Sequence, residues 1–265
     1  MNNGTTDFSG RIAVWGPPCT GKTTLAVRLA TELASTGKQV ILLLCDRTLP
    51  VLPLLFPENR ESELPSLGSA LTALEIGTGE ILAASVVCRE YPNLLFLGYG
   101  IGENLYSYPE TGEGRAGSFL DSLAPVCDCL IVDCSSVLYE DRLSAAAMKT
   151  ADRVIRVYSP EMRSFAFYDS QLPLLEGDEW RADEHIRVLN ITSNDIYFPV
   201  DESRANMLRC DAVLPYSRSL RLAMSEGRLI GANPGKKYRA GISGLVSVLS
   251  EKKENTGAAG TCEAE

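Results

Sequence analysis

The sequence predicts an α/β fold in which a doubly wound, mainly parallel β-sheet is flanked by helices. Six short apolar runs alternate along the chain with segments of helical periodicity. Because the runs are continuously apolar, they are typical of strands covered by helices on both faces of a sheet. A glycine-containing turn separates the first run from the clearest helix. Folds of this kind place their ligands at the carboxyl ends of the strands.

The elements follow in order along the chain. Strands are predicted at 11–15, 39–45, 94–97, 129–133, 153–158 and 186–191. The helix over 22–36 is the clearest, because Leu25, Leu29 and Leu33 recur every four residues and Gly37 supplies a left-handed stop. Further helices are predicted at 66–75, 79–90, 115–124, 140–151, 161–175, 201–209, 217–226 and 239–250.

Length and composition fit one domain. A chain of 265 residues with 45% hydrophobic side chains can bury one substantial core but hardly two. We therefore predict a single domain over residues 10–250. The segments 1–9 and 251–265 are polar and, apart from Phe8, lack aromatic side chains, so both are expected to be disordered.

Charge and rare residues argue against several function classes. A net charge of -9 disfavours a strongly basic nucleic-acid surface. The single histidine, His185, argues against histidine-based triads and multi-histidine metal sites. The eight cysteines form no C-x-x-C pair, which favours reduced thiols, and no metal site is expected at Cys127, Cys129 and Cys134. With no membrane-length apolar run and no signal-like N-terminus, the chain is expected to be cytoplasmic.

A phosphate-binding loop is the strongest motif. The stretch GPPCTGKT matches G-x-x-x-x-G-K-[ST] directly between a strand and a helix, a context that disfavours an ordinary glycine turn capped by a lysine. Lys22 is the candidate catalytic residue that reaches the β- and γ-phosphates, and Thr23 is a candidate Mg²⁺ ligand. The predicted phosphate-binding residues are Gly16, Pro17, Pro18, Cys19, Thr20, Gly21, Lys22, Thr23 and Thr24.

Two acidic residues end buried strands at the same edge of the predicted sheet. Asp133 closes CLIVD and is the candidate that holds Mg²⁺ through water. Asp46 follows ILLLC and is a candidate catalytic residue that positions the attacking water or a metal-bound water. The alternative for Asp46 is a structural cap of a turn or helix.

The order of these features resembles the MinD/ParA group of P-loop ATPases over about residues 10–248. SPEMRSFAFYDS at 159–170 looks like the P-E-x-x-S helix start of that group, and VLPYSRSLRLAMSEG at 213–227 is similar to its PxDxxVxxAxxxG segment. The resemblance implies ATP and Mg²⁺ as cofactors. It also implies that Asn190, at the end of the RVLN strand, and Pro215 lie beside the adenine, with the loop formed around Tyr216.

The branch that looks most similar is the CpaE/TadZ type, which is associated with pilus assembly and polar localisation. The resemblance implies an ATP-dependent homodimer that acts as a positional switch and binds a protein partner in a larger assembly. MinD and ParA proteins usually carry an early loop lysine that crosses the dimer interface, and this chain has Pro17 there. Slow hydrolysis is therefore expected unless another cation substitutes. The candidates are Arg47, Arg115 and Arg163, each of which has an ordinary solvated arginine as its alternative.

Two alternative functions remain at this point. One is a ParA-like DNA-partition ATPase, for which residues 201–240, with eight Lys or Arg and four Asp or Glu, are the only candidate surface. The other is a nucleotide-binding module with little or no hydrolysis. Of the kinases with this fold, a tyrosine kinase fits poorly, because residues 239–265 contain no tyrosine. Direct membrane insertion is not expected, because the last helix is predicted to dock on the core.

The segment 91–117 is unusual for a connector because it contains four tyrosines and six glycines. We hypothesise that it is a switch or partner loop above the nucleotide, in which Tyr99, Tyr106 and Tyr108 supply contact area. The alternative is a long surface loop that packs on itself.

Overall fold

A computed structural model describes residues 8–59, 64–194 and 209–251. Its strands are β1 (Gly10–Trp15), β2 (Val40–Leu44), β3 (Val86–Val87), β4 (Leu94–Leu97), β5 (Cys129–Asp133), β6 (Arg153–Tyr158), β7 (Ile186–Asn190) and β8 (Ala212–Leu214). Its helices are α1 (Lys22–Ser35), α2 (Leu52–Leu55), α3 (Leu67–Thr72), α4 (Thr78–Ala83), α5 (Glu113–Leu123), α6 (Arg142–Thr150), α7 (Met162–Gln171), α8 (Arg218–Ser225) and α9 (Lys236–Ser250). Short 3₁₀ turns follow α2, α5 and α7.

The strands form one sheet in the order β3-β4-β2-β5-β1-β6-β7-β8. All pairs are parallel except β3 with β4. The central strand β1 lies between β5 and β6, so the loop after β1 is flanked by the carboxyl ends of both neighbours. The predicted doubly wound α/β fold is confirmed.

Helices cover both faces of the sheet and bury two separate apolar layers. Along β1, Ile12 and Val14 point into the layer under α1, α2, α8 and α9. Ala13 and Trp15 point into the layer under α3 to α7. Strand side chains alternate between faces, so the continuous apolar run of β1 follows directly from burial on both sides.

Three parts of the sequence prediction need correction. The helix predicted at 79–90 ends at Ala83, and the chain then forms the antiparallel edge strand β3. The strand β8 was not predicted, because three residues are too few for a periodic signal. Phe8 is buried in the core, so the domain begins at least two residues before the predicted boundary at residue 10.

Other predictions fall at the ends of the described residues. The helix predicted at 201–209 and most of the tail at 251–265 lie outside them. The last helix, α9, buries one apolar face on the core, as expected, through Tyr238, Ile242, Leu245, Val246 and Leu249. Within the described ranges, no helix is long and apolar enough to cross a membrane.

Candidate functional site

The phosphate-binding loop has a backbone that requires glycine at two positions. Gly16 lies so close to β6 that an added Cβ would be 2.6 Å from the Val157 carbonyl oxygen. Gly21 has a left-handed φ of 83°, and an added Cβ would be 2.4 Å from Asn190 Nδ2. Cys19 also has a positive φ, of 63°. Turns of this type present successive backbone N–H groups to an anion.

The loop then leads directly into the amino terminus of α1. The first intrahelical hydrogen bond is donated by Leu25 N to Gly21 O, at 2.9 Å. The preceding N–H groups, from Lys22 to Thr24, therefore have no acceptor within the helix. Together with the positive end of the helix dipole, these donors make an anion-binding end.

Pro17 is buried, whereas Pro18 and Cys19 are exposed. The Pro17 carbonyl accepts hydrogen bonds from Thr20 Oγ1 at 2.9 Å and from Lys22 Nζ at 3.0 Å. Proline has no backbone N–H, so the donors of the loop begin at Cys19. Pro17 thus contributes a carbonyl that holds Lys22, and it brings no charge of its own.

Lys22 lies at the phosphate end of the cavity in a largely desolvated position. Its Nζ also donates to Ser136 Oγ, at 2.8 Å. Burial lowers the pKa of Lys22, while the carboxylates of Asp133 and Asp46 act in the opposite direction. A buried ammonium group that is hydrogen-bonded to neutral oxygens is strongly stabilised when a polyanion binds, because the anion replaces the hydration that the group lost on burial.

Thr23 lines the same cavity, and the buried Asp133 lies directly behind it. Thr23 Oγ1 donates to Asp133 Oδ2 at 2.6 Å. The other carboxylate oxygen, Oδ1, is buried and has no hydrogen-bond partner among the described residues. Burial raises the pKa of Asp133 to about 6, although Lys22 and the Thr23 hydroxyl lower it. A hydroxyl and a carboxylate with an unsatisfied oxygen are the donor set that suits Mg²⁺ and its bound water.

Asp46 lines the cavity and also caps the turn that follows β2. Its Oδ1 accepts hydrogen bonds from Thr48 N at 2.8 Å and from Leu49 N at 3.0 Å. The capping alternative is therefore present in the structure. A carboxylate has a second oxygen, so the predicted water-positioning role is compatible with this turn and stays a prediction.

The two residues predicted beside the base have different positions. Asn190 lines the cavity, and its Nδ2 donates to Thr20 O at 2.8 Å, which ties the end of β7 to the loop. Pro215 does not line the cavity and instead lies against Gly241 in α9. Its neighbour Tyr216 does line the cavity, so the loop borders the cavity through Tyr216. The predicted role of Pro215 beside the base stays a prediction.

The cavity has a volume of about 720 Å³ and extends from the loop to α8. Two of its polar residues were missed by sequence reasoning. Ser136 holds Lys22, and its position three residues after Asp133 at a strand end was a usable signal. Arg221 lies on α8 and donates to Thr192 O at 3.3 Å. Nothing in the local sequence separates Arg221 from the other exposed arginines of the region.

The tyrosine-rich segment folds on itself around Glu103. The Glu103 carboxylate accepts hydrogen bonds from Gly100 N, Ser66 Oγ and Tyr108 Oη, each at 2.6 Å. Tyr99 is buried in the core, whereas Tyr106 is 95% exposed. Of the three tyrosines in the hypothesis, Tyr106 is thus the one free to contact a partner.

The loop geometry and the parallel sheet define the P-loop NTPase fold, in its MinD/ParA form. A protein from Borrelia burgdorferi B31 assigned to plasmid partition, solved with AMPPNP, superposes with a TM-score of 0.66 at 16% identity over 90% of this chain and 97% of its own. MinD from Pyrococcus horikoshii OT3 with Mg-ADP gives a TM-score of 0.59 at 18% identity over 89% and 94%. MinD in the MinC:MinD complex of Aquifex aeolicus gives 0.68 at 17% identity over 90% and 95%.

No family model matches the chain, and no curated protein matches it in sequence. The likeness is therefore one of fold, and it extends over nearly the whole chain. The fold that the sequence features predicted for residues 10–248 is confirmed at that level.

Proposed function

We propose that this protein is a cytoplasmic Mg·ATP-binding, slowly hydrolysing ATPase that acts as a nucleotide-dependent dimer switch. One observation carries the proposal. Lys22 and Thr23 line the cavity at the anion-binding loop, and Asp133 lies behind Thr23 within hydrogen-bond distance of its hydroxyl. This combination supplies a phosphate cradle, a cation and a metal-side carboxylate around one loop.

Each residue of the site has a distinct task in this proposal. The N–H groups from Cys19 to Thr24 bind the phosphates, and Lys22 exchanges its contacts with Pro17 O and Ser136 for phosphate oxygens. Thr23 and Asp133 would hold Mg²⁺ through water, which neutralises charge on the phosphates. Asp46 orients the attacking water from the adjacent strand end. Asn190 keeps the loop in its binding geometry through the Thr20 carbonyl.

Slow turnover follows from the charges around the phosphates. Within the described part of the chain, Lys22 and Arg221 are the lysine and arginine residues that line the cavity, and Arg221 lies toward α8. The loop position that could supply a further cation is Pro17. Loss of one charge donor to the transferred phosphoryl group costs about 10²- to 10³-fold in rate.

The dimer part of the proposal is supported by the surface around the cavity. Parallel strands end at one edge of the sheet, and exposed apolar side chains follow four of those ends. Leu49 follows β2, Ile101 and Tyr106 follow β4, Tyr139 follows β5, and Met162 follows β6. An apolar rim of this kind around a nucleotide favours face-to-face association of two copies. The resemblance to CpaE and TadZ proteins assigns the switch to positioning a pilus or secretion assembly.

The test combines ATP binding, phosphate release and oligomer size. We expect Mg·ATP to bind the wild-type protein and to increase its mass in solution, with phosphate release slower than dimer formation. Lys22→Ala should abolish binding, while Lys38→Ala, outside the cavity, should not change it. Unchanged ATP affinity in the Lys22→Ala protein would falsify the proposal.

A second candidate function, DNA binding in the manner of ParA proteins, is favoured by one surface. Ser217 Oγ and Ser219 Oγ donate to the carbonyls of Pro234 and Asn233, which brings the first turns of α8 and α9 together. Neither first turn contains an acidic residue. The exposed cations grouped there are Arg218, Lys236, Lys237 and Arg239.

Duplex DNA of arbitrary sequence tests this candidate. Binding should require ATP and weaken steeply with salt, and Lys236→Ala with Lys237→Ala should lower the salt dependence by about one phosphate contact each. The net charge of -9 opposes such binding elsewhere on the surface. Absence of any DNA binding at low salt would leave the positional switch as the function.

A further inference from the structure

Arg163 lies at the first turn of α7, directly beside the phosphate-binding loop. The preceding strand, β6, pairs with β1, and the loop begins where these two strands end. Tyr168 of α7 donates to Val157 O at 3.0 Å, and its hydroxyl would be 2.8 Å from a Cβ added at Gly16. The helix that carries Arg163 is therefore fixed against the start of the loop.

The guanidinium group of Arg163 is exposed and held by a single carboxylate. Its Nε donates to Glu161 Oε2 at 2.5 Å, and the arginine side chain is 71% exposed. The Glu161 carboxylate raises the pKa of Arg163, and the Cys19 thiol of the loop raises it further. Arg163 begins the helix that follows β6, and β6 ends beside the start of the loop, so the exposed guanidinium lies on the same edge of the sheet as the phosphate-binding loop.

The other two candidate arginines are engaged elsewhere. Arg47 donates through Nη2 to Glu140 O at 2.8 Å. Arg115 donates through Nε to Leu71 O at 3.0 Å and through Nη2 to Ala73 O, which fixes it between α3 and α5. Backbone carbonyls at these sites would lose their partners if either side chain moved to the phosphates.

We propose that Arg163 supplies, across the dimer interface, the positive charge that Pro17 leaves out of the loop. This inference rests on the proposed ATP-dependent dimer. In the reaction, water adds to the γ-phosphorus and the bond to the β–γ bridging oxygen breaks, which gives ADP, phosphate and a proton. Arg163 of one subunit stabilises the charge that develops on the γ-phosphoryl oxygens bound by its partner. A planar guanidinium with paired donors suits this task.

Glu161 is the partner of Arg163 before the dimer forms. In the separate subunit it neutralises Arg163 and holds the guanidinium at the surface. In the dimer the phosphates compete for the same donors, and their larger charge favours transfer of the guanidinium from the carboxylate. Turnover therefore depends on assembly, as a switch requires.

The test compares Arg163→Ala with a matched arginine. Arg228 is the control, because it is 72% exposed and pairs with Glu226 two residues away, outside the nucleotide cavity. We expect Arg163→Ala to lower kcat about 10- to 100-fold with ATP affinity and dimer size unchanged, and Arg163→Lys to recover part of the rate. Arg228→Ala should keep the wild-type kcat. An Arg163→Ala kcat equal to that of the wild type would overturn the inference.

Mixed subunits test the trans arrangement. An Asp46→Asn subunit lacks the residue proposed to orient the attacking water, but it keeps Lys22 for ATP binding, so it can form the ATP-dependent dimer and still presents Arg163. Adding it to the Arg163→Ala protein should raise phosphate release above the sum of the separate rates. No gain on mixing would contradict action across the interface. Wild-type protein that fails to bind ATP would instead remove the proposed function, so the two failures are distinguishable.

Discussion

The phosphate end and the α8 end of the cavity are built in different ways. At the phosphate end, buried donors and acceptors from three strand ends converge on a loop of nine residues, and Lys22, Thr23 and Asn190 each have a defined partner. At the α8 end, Tyr216 and Arg221 come from a separate part of the chain, and among the described residues Arg221 makes one long hydrogen bond. The first end is rigid before any ligand binds, whereas the second is only loosely fixed.

Because of this difference, we expect mutations at the two ends of the cavity to change ATP affinity by different amounts. Changes at the phosphate end disturb a preformed network and should remove binding altogether. Changes at the α8 end remove single contacts from an exposed wall, so they should alter affinity by small factors and act mainly on the choice of base.

Gly21→Ala should have the largest effect on ligand binding. The left-handed φ costs an added side chain about 1–2 kcal/mol, and the new Cβ would also displace Asn190 from the Thr20 carbonyl. We expect ATP affinity to fall about 100-fold or more, a change of about 2.7 kcal/mol. Calorimetric titration with Mg·ATP measures this loss.

Gly37→Ala is the matched control for Gly21→Ala. Gly37 has a φ of 92° and no atom within 4 Å of an added Cβ. An alanine at this position therefore has a comparable conformational free-energy cost but no steric clash. The Gly37→Ala protein should be less stable but bind ATP normally. Equal losses of affinity in the two variants would show that backbone strain alone, and not the contact with Asn190, explains the effect.

Asp133→Asn should stabilise the nucleotide-free protein in a pH-dependent way. The pKa of Asp133 is raised from 3.8 to about 6 in the folded state. The free energy that protonation of this carboxyl contributes to folding is therefore fully present below pH 3.8 and is lost as pH rises through about 6. This difference corresponds to about 3 kcal/mol at most. With EDTA present, the gain in stability of Asp133→Asn over the wild type should be larger at pH 8 than at pH 5.

Urea unfolding at the two pH values measures this effect. The amide can still accept from Thr23 Oγ1, so the hydrogen bond itself is conserved in the variant. A variant that is destabilised to the same extent at both pH values would contradict the assignment of a charge penalty to Asp133. Magnesium-dependent ATP binding should be lost in the same protein.

The sequence predicted the rigid end of the cavity far better than the loose end. The phosphate site consists mainly of consecutive residues, so a short sequence motif identifies it. The loop has a fixed length because it must turn, direct its backbone amides toward the phosphates and continue into a helix. Asp133 could be found because a charged residue closing an apolar strand is locally conspicuous. At the loop that contains Pro215, the side chain that lines the cavity is Tyr216, and this choice depends on how α9 packs, so the role predicted for Pro215 beside the base stays a prediction.

Tertiary packing also explains why some elements were predicted wrongly from sequence periodicity. Val86 and Val87 follow a helical pattern, yet they pair with β4 because an uncovered strand edge gains hydrogen bonds from any neighbouring extended segment. The structure of the tyrosine-rich segment, residues 91–117, likewise could not be predicted from the local sequence alone. Its composition indicated a binding loop, but only the structure shows that Glu103 fixes it and leaves Tyr106 outside.

Arg221→Ala should have the smallest effect and defines the other limit of the comparison. Arg221 lines the α8 wall, and its hydrogen bond to Thr192 O, the one it makes among the described residues, is 3.3 Å long. Its removal should lower ATP affinity about 2- to 5-fold, because one exposed charge contributes about 1 kcal/mol or less. The ratio of ATP to GTP affinity should change by a similar factor, whereas kcat stays close to the wild-type value. If Arg221→Ala instead lowered ATP affinity about 100-fold, as expected for Gly21→Ala, the α8 end would be as preorganised as the phosphate end.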